Sequence, residues 1–135
     1  MIKDSKLERI ERFLNSTQAK SLHEHNLKLS AVLVLLYKTY SGYVVMFNKR
    51  TQKVEFNKGE ICFPGGGMDK TDDNLLATTL RETHEEMGIR PADVDLLGEL
   101  DDTTTRTGVA LKPFLATIPY PYVFNPHDDE LDEVF

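Results

Sequence analysis

The chain has little of three things that would point to an unusual environment: cysteine, long apolar runs and excess positive charge. Cys62 is the single cysteine, which excludes an internal disulfide and fits a reducing compartment, where we expect it buried in a strand. The longest apolar run, from Ala31 to Tyr37, is far too short to span a bilayer, and there is no signal-peptide or peroxisomal-targeting pattern. We therefore expect a cytoplasmic protein with no membrane association.

The formal net charge of −6 argues against general affinity for nucleic acid. An anionic substrate would need local help from a metal ion and a few basic residues. The 135 residues, 40% of them hydrophobic, suffice for one domain with a real core. Because no repeat or low-complexity linker divides the chain, we expect a single domain over residues 1–135, with an N-terminal helix and loop in 1–28.

Hydrophobic periodicity predicts an α/β fold with a mixed sheet. A helix is predicted over residues 5–14, where Ser5 and Glu8 would form a capping box. Tyr43–Lys49 should pair back on the strand before it as one hairpin arm, after the turn at Ser41 and Gly42. The predicted strands cover residues 31–36, 43–49, 60–63, 94–100 and 109–118, with another beginning at 134.

A glycine-led stretch of carboxylates is the most informative part of the sequence. Glu82, Glu85 and Glu86 stand at i, i+3 and i+4, so a helix would present them on one face. Like charges this close repel, so we expect a cation between them, and hard divalent ions such as Mg²⁺ or Mn²⁺ suit oxygen ligands. A solvated acidic helix face is the alternative, but it needs neither Gly67 nor Gly88 at these offsets.

The boundaries of this helix can be predicted from capping residues. Thr71 is the expected N-cap, with Asp72 and Asp73 in the first turn, where the helix dipole favours negative charge. Gly88 should end the helix in a left-handed conformation, and Pro91 prevents its continuation. A stripe that recurs at helical spacing is expected to be buried: Leu76, Leu80, Thr83 and Met87.

The stretch resembles the Nudix box, which reads Gly, five residues, Glu, seven residues, then Arg-Glu-apolar-x-Glu-Glu-x-Gly-apolar. The matching residues are Gly67, Arg81, Glu82, Glu85, Glu86, Gly88 and Ile89. Asp73 stands in place of the first Glu, and Thr83 in place of an apolar residue. The resemblance implies an α/β/α sandwich and hydrolysis of a nucleoside diphosphate linked to another group.

The resemblance also implies roles for single residues. Glu82, Glu85 and Glu86 would hold Mg²⁺ or Mn²⁺ together with a backbone carbonyl of the glycine loop, taken as that of Gly67. Arg81 would orient the acidic residues, with Asp73 as its partner. A Glu beyond the box would act as base or extra ligand: Glu130, with Glu133 next, although both also fit an acidic loop in water.

The segment before the box is similar to the signature of the coenzyme A diphosphatase subfamily, Leu-Leu-Thr-x-Arg-Ser/Ala, then Gly-x-x-x-Phe-Pro-Gly-Gly. The matching residues are Arg50, Gly59, Phe63, Pro64, Gly65 and Gly66, whereas Met46, Phe47 and Asn48 replace Leu-Leu-Thr. Glu55 stands where a basic residue is common and Asn57 where His is common. The resemblance implies cleavage of coenzyme A or acyl-coenzyme A to 3′,5′-ADP and 4′-phosphopantetheine, with substrate bound by Arg50, Lys49, Phe63, Gly65 and Gly66.

Two alternatives stay open: a Nudix hydrolase of ADP-ribose or another nucleoside diphosphate derivative, and a non-catalytic module that binds a nucleotide. The intact Arg81 and three glutamates argue against the second. In the family a strand and a helix normally follow the position of Phe135. We therefore expect a fold that lacks its C-terminal strand and helix, with an exposed edge that favours self-association, for example as a homodimer.

Overall fold

The computed structural model of the protein describes residues 4–19, 27–50, 60–105, 107–126 and 131–134. Its helices are α1 (Ser5–Ser16) and α2 (Leu75–Met87), with a 3₁₀ turn at Pro91–Asp93. Its strands are β1 (Lys28–Thr39), β2 (Gly42–Val45), β3 (Asn48–Arg50), β4 (Ile61–Cys62), β5 (Gly65–Gly67), β6 (Asp95–Glu99), β7 (Thr103–Thr104), β8 (Val109–Thr117) and β9 (Leu131–Val134). Neither described helix is long and apolar enough to cross a membrane.

The main sheet is mixed, as the sequence predicted. Its strand order is β2-β1-β8-β6, with β1 and β8 parallel and the other pairs antiparallel. Strand β5 pairs with the first half of β1, at the edge that β2 occupies further along, and β7 pairs with β8. A smaller antiparallel sheet has the order β4-β3-β9.

Helices cover both faces of the main sheet. Alternate residues of β1 are fully or almost fully buried on the face toward α2: Ala31, Leu33, Leu35 and Tyr37. Helix α1 lies on the opposite face, where Lys38 of β1 pairs with Asp4 at 2.7 Å and Gly98 of β6 leaves room for Leu14. This α/β/α arrangement confirms the predicted fold class.

The core lies between α2 and the main sheet. In β1 and β8, Leu33 is in register with Phe114, and both are at most 3% exposed. Met87, the last residue of α2, and Ile89, just beyond the helix, complete this core on the side of α2. Burial of such side chains is the main favourable term in folding, so α2 is held firmly against β1.

Several boundaries differ from the sequence prediction. Asp4, not Ser5, caps α1, because its carboxylate accepts the Leu7 N–H at 3.0 Å. The predicted arm 43–49 is two strands: β2 pairs with β1, whereas β3 belongs to the small sheet, because Met46 turns into the core between them. The final strand begins at Leu131 and pairs with β3 instead of beginning at 134.

Cys62 also differs from its prediction. It lies in β4, opposite Asn48 of β3, and it is partly exposed instead of buried. A two-residue strand at the edge of the small sheet provides too little cover for full burial.

Candidate active site

Helix α2 begins and ends at residues with clear capping roles. Its N-cap is Asn74, whose side-chain oxygen accepts the Ala77 N–H at 2.8 Å, so the prediction of Thr71 as N-cap was wrong. Its end at Gly88 was predicted correctly, with φ of 74° and a hydrogen bond from the Gly88 N–H to the His84 carbonyl. Asp72 and Asp73 therefore precede the helix, which changes their roles.

The three glutamates of α2 lie at different depths. The Glu85 side chain is 53% exposed, the Glu82 side chain 20%, and Glu86 as a residue only 3%. The predicted stripe lies on the core side, where Thr83 and Met87 are fully buried. The acidic face therefore runs from solvent at Glu85 to the protein interior at Glu86.

Arg81 connects this acidic face to the glycine loop. Its Nη1 lies 3.0 Å from Oε1 of Glu82 and 3.5 Å from Oε2 of Glu85. Its Nη2 donates to the Gly67 carbonyl at 3.4 Å. Three of the oxygens predicted to bind a metal therefore face one guanidinium, which supplies the positive charge they require in the described structure.

Asp72 is the main partner of Arg81, not Asp73. Both prongs of the guanidinium, Nε and Nη2, bind the Asp72 carboxylate at 2.9 Å, and the Asp72 side chain is only 4% exposed. The Asp69 N–H and the Thr78 hydroxyl donate to the same carboxylate. Asp73 is exposed, because the helix begins after it and the loop turns Asp72 inward instead.

These contacts shift the protonation equilibria of the pair. The hydrogen bonds from Arg81 hold the pKa of the Asp72 carboxyl well below its usual range. The same contacts raise the pKa of the Arg81 guanidinium above its already high ordinary value. Both groups are therefore charged throughout the physiological range, and the ion pair is a fixed part of the site.

Glu86 is held by a residue that the sequence analysis did not identify as part of the site. Asn48, fully buried in β3, donates from Nδ2 to Oε2 of Glu86 at 2.9 Å. The Gly65 N–H donates to the same oxygen at 3.4 Å. The contact joins residues 38 positions apart, so no local spacing could have revealed it.

The glycines of β5 allow close approach of backbone and carboxylate. Gly65 has φ of +149°, and a Cβ there would lie 2.1 Å from the Ala31 carbonyl oxygen. A Cβ on Gly66 would lie 2.8 Å from the carboxyl carbon of Glu82. Only residues without a side chain let β5 pass this close to both β1 and α2.

The structure describes the side chains of only some of the predicted substrate-binding residues. Phe63 is half-buried and stacks on Phe47, with ring centroids 4.9 Å apart, and Lys49 is half-buried in β3. The backbone of Arg50 lies in β3, but its side chain lies outside the described part of the structure. Glu130 lies outside the described residues altogether.

A cleft of about 510 Å³ adjoins the glycine loop. It is lined by Gly67 and Asp72 of the site and carries two basic side chains, Lys28 and Lys70, that the sequence analysis did not identify. Only the fold brings Lys28, at the start of β1, beside the loop before α2, because β5 pairs with β1.

The donor set fits a hard divalent cation. It offers carboxylates from Glu82, Glu85 and Glu86 and the Gly67 carbonyl, all oxygens of the kind that Mg²⁺ and Mn²⁺ prefer. Within the described ranges no three acidic, histidine or cysteine side chains converge as a ready-made metal cage. Two glutamates face Arg81 and the third faces Asn48, so metal ligation by these residues stays a proposal.

The comparisons with known proteins agree with this geometry. The NUDIX domain family model matches residues 27–134. The "Uncharacterized Nudix hydrolase NudL" of Pectobacterium atrosepticum is 32% identical over 111 residues, which are 82% of this chain and 57% of that protein. The "Peroxisomal coenzyme A diphosphatase NUDT7" of Mus musculus is 33% identical over 113 residues, which are 84% of this chain and 48% of that protein. The chain thus spans about half the length of these curated relatives.

Solved structures share the fold at low identity. The C. elegans Ap4A hydrolase binary complex superposes with a TM-score of 0.67 at 17% identity, covering 78% of this chain and 76% of that one. The NUDIX domain of Shewanella oneidensis NrtR, complexed with ADP ribose, gives a TM-score of 0.59 at 19% identity, and the match covers 90% of this chain and 74% of that one. The box residues, the α/β/α fold and the family match together confirm the resemblance, and the chain belongs to the NUDIX domain family.

Proposed function

We propose that this chain hydrolyses the diphosphate linkage of a small nucleotide derivative with the help of Mg²⁺ or Mn²⁺. The observation that carries the proposal is the gathering of Glu82, Glu85 and the Gly67 carbonyl around Arg81, with Glu86 buried next to them. A merely solvated acidic face would not bring a loop carbonyl to the same point. Family membership supports the same reaction class.

Each residue has a role in this proposal. Glu82, Glu85, Glu86 and the Gly67 carbonyl would hold the cation, which when bound neutralises diphosphate oxygens and acidifies a water. Arg81, fixed by Asp72, orients the glutamates and offsets their mutual repulsion. Glu130 is the proposed base. Hydrolysis at one phosphorus would release the two halves of the substrate as phosphate esters.

Coenzyme A or an acyl-coenzyme A is the substrate we favour. The proposal is supported by the match of Arg50 and of the Phe63–Gly66 segment to the subfamily signature, and by the likeness to NUDT7, named as a coenzyme A diphosphatase. Phe63 stacked on Phe47 would offer an apolar wall, and Lys28 and Lys70 of the cleft offer charge for an extra phosphate. The products would be 3′,5′-ADP and 4′-phosphopantetheine.

ADP-ribose or another nucleoside diphosphate derivative is the second candidate. Glu55 and Asn57 stand where the coenzyme A signature commonly has a basic residue and His, which removes positive charge expected near a 3′-phosphate. A non-catalytic nucleotide-binding module is the third reading. The cytoplasmic location, the homodimer and the absence of nucleic-acid and membrane partners stay predictions.

A panel assay tests the proposal. The purified chain is incubated with coenzyme A, acetyl-coenzyme A, ADP-ribose and a dinucleoside polyphosphate, each with Mg²⁺, Mn²⁺ or EDTA, and products are separated by chromatography. We expect metal-dependent cleavage with coenzyme A or its thioester preferred. Preferred cleavage of ADP-ribose would support the second candidate, and binding without cleavage of any substrate would overturn the proposed hydrolysis.

A further inference from the structure

We propose that Asn48 is a positioning residue that holds the Glu86 carboxylate ready for a divalent cation. The inference rests on the proposed function, in which Glu86 is a metal ligand. It adds a residue of β3 to the metal-binding part of the site, which the sequence places on the loop and helix of residues 67–88 and on Glu130.

The contact is buried and directional. Asn48 is 0% exposed and Glu86 3%, and Nδ2 of Asn48 lies 2.9 Å from Oε2 of Glu86. The Gly65 N–H reaches the same oxygen only at 3.4 Å, so the Asn48 amide is the shorter of these two hydrogen bonds. A buried carboxylate is costly unless hydrogen bonds compensate its lost hydration, so the amide both stabilises Glu86 and fixes its orientation.

Chemistry determines which way the amide faces. The NH₂ group of Asn48 donates to an oxygen of Glu86, so its carbonyl Oδ1 points elsewhere. Oδ1 is buried, and it has no hydrogen-bond partner among the residues that the structure describes. Buried acceptors of this kind commonly bind an ordered water.

The position of Asn48 in the fold supports a specific role. It lies in the middle strand of the small sheet, in register with Cys62 of β4 and Val134 of β9, so its backbone is fixed from both sides. Asn is depleted in strands and is seldom fully buried, so local preference alone would not select it here. Departures from local preference are typical of functional positions.

The difference between Asn48 and the subfamily signature has a physical consequence. Asn48 stands where the coenzyme A diphosphatase signature has Thr. The Thr hydroxyl is attached directly to Cβ, whereas the amide nitrogen of Asn is one bond further out. A Thr in place of Asn48 would therefore fall short of Glu86 at the present backbone distance.

The test measures Mn²⁺ binding instead of turnover. Asn48→Leu keeps the size and branching of the side chain but removes donor and acceptor. We expect the full chain with Asn48→Leu to bind Mn²⁺ at least tenfold more weakly, measured by electron paramagnetic resonance titration. The matched control is Thr79→Val, which also removes a buried polar group next to the core and should leave Mn²⁺ affinity within twofold.

A double-mutant cycle separates positioning from a general loss of structure. In a Glu86→Gln background, Asn48→Leu should change Mn²⁺ affinity by less than twofold, because the carboxylate it positions is gone. An unchanged Mn²⁺ affinity in folded Asn48→Leu would overturn the proposal, and so would an equal loss in both backgrounds. If circular dichroism shows that Asn48→Leu does not fold, Asn48→Thr replaces it with the same expected and contradicting results. A wild-type chain that binds neither Mn²⁺ nor Mg²⁺ would instead overturn the proposed function itself.

Discussion

Arg81 and Asp72 form a two-pronged ion pair that fixes the acidic face of α2 to the loop before it. Nε and Nη2 of Arg81 each lie 2.9 Å from an Asp72 oxygen, a geometry that only a guanidinium offers to a carboxylate. The remaining Nη1 faces Glu82 and Glu85. Asp72 therefore fixes the position of the Arg81 side chain. Arg81 in turn allows the carboxylates of Glu82 and Glu85 to lie close to each other, because its positive charge offsets their repulsion.

Removal of the Asp72 charge should destabilise the protein in a pH-dependent way. Asp72→Asn is expected to lower Tm at pH 7 by several degrees, because Arg81 loses its main partner. The pKa of the Asp72 carboxyl is lowered in the folded state, so the stabilisation is present above the ordinary pKa of 3.8 and is lost as pH falls through the folded-state pKa. The difference in Tm between Asp72→Asn and wild type should therefore narrow below pH 3.8.

Asp73→Asn is the control for this prediction. Asp73 carries the same charge one residue later, but it is exposed, so its substitution should leave Tm at pH 7 nearly unchanged. A loss of Tm in Asp73→Asn equal to that in Asp72→Asn would show that loop charge, not the ion pair, stabilises the structure. Thermal denaturation followed by circular dichroism measures both variants.

Gly66→Ala should damage the site without unfolding the chain. The new Cβ would lie 2.8 Å from the carboxyl carbon of Glu82, and the end of that flexible side chain can move away. A displacement of about 1 Å at a catalytic group can cost about 100-fold in rate, so we expect a loss of roughly 10- to 100-fold in kcat with little change in Tm. Steady-state kinetics and melting measure the two effects.

Gly67→Ala distinguishes this close approach from a general intolerance of the loop. A Cβ on Gly67 would meet no atom within 4 Å, and the substitution keeps the carbonyl. Its kcat should stay within about threefold of wild type. Equal losses in both variants would mean that the contact of Gly66 with Glu82 is not what makes glycine necessary there.

Arg50→Lys tests the choice of substrate. If the Arg50 guanidinium binds a phosphate through two parallel hydrogen bonds, a lysine ammonium cannot reproduce that planar geometry. We therefore expect kcat/KM for coenzyme A to fall about tenfold or more. The loss should be smaller for ADP-ribose, which has no 3′-phosphate. Arg12→Lys, the same substitution at an exposed position of α1 away from the site, serves as the control and should leave kcat/KM unchanged. Equal and small effects of Arg50→Lys on both substrates would remove the residue-level reason for favouring coenzyme A.

The sequence predicted the features that depend on local spacing. The helical spacing of the apolar stripe that ends at Met87 predicted α2, and Gly88 predicted its left-handed end. The i, i+3, i+4 spacing predicted that the three glutamates share one side of this helix. The strands predicted over residues 31–36 and 109–118 correspond to β1 and β8 of the structure. Helix and strand periods need no knowledge of the tertiary structure.

Prediction from the sequence failed where two nearby residues were equally good helix caps, where one run formed two strands, and where residues far apart in the sequence come into contact. Thr71 and Asn74 are both good N-caps, and the choice of Asn74 moves Asp72 out of the helix and toward Arg81. The run 43–49 reads as one strand, and only the burial of Met46 divides it. Asn48 and Glu86 are hydrogen-bonded although 38 positions separate them in the sequence. The one local sign of this contact was the presence of an Asn in a run that otherwise reads as a strand.

The most direct test of the account is the metal-dependent turnover of Glu86→Gln. This substitution keeps the shape of the side chain and removes one ligand charge, so we expect the rate with Mg²⁺ or Mn²⁺ on the best substrate of the panel to fall roughly 100-fold or more. Glu8→Gln, an exposed carboxylate on α1 across the sheet, should retain the wild-type rate, and EDTA should abolish it. Near-normal turnover of Glu86→Gln, together with no effect of EDTA, would contradict the assignment of this acidic face as a metal-dependent hydrolytic site.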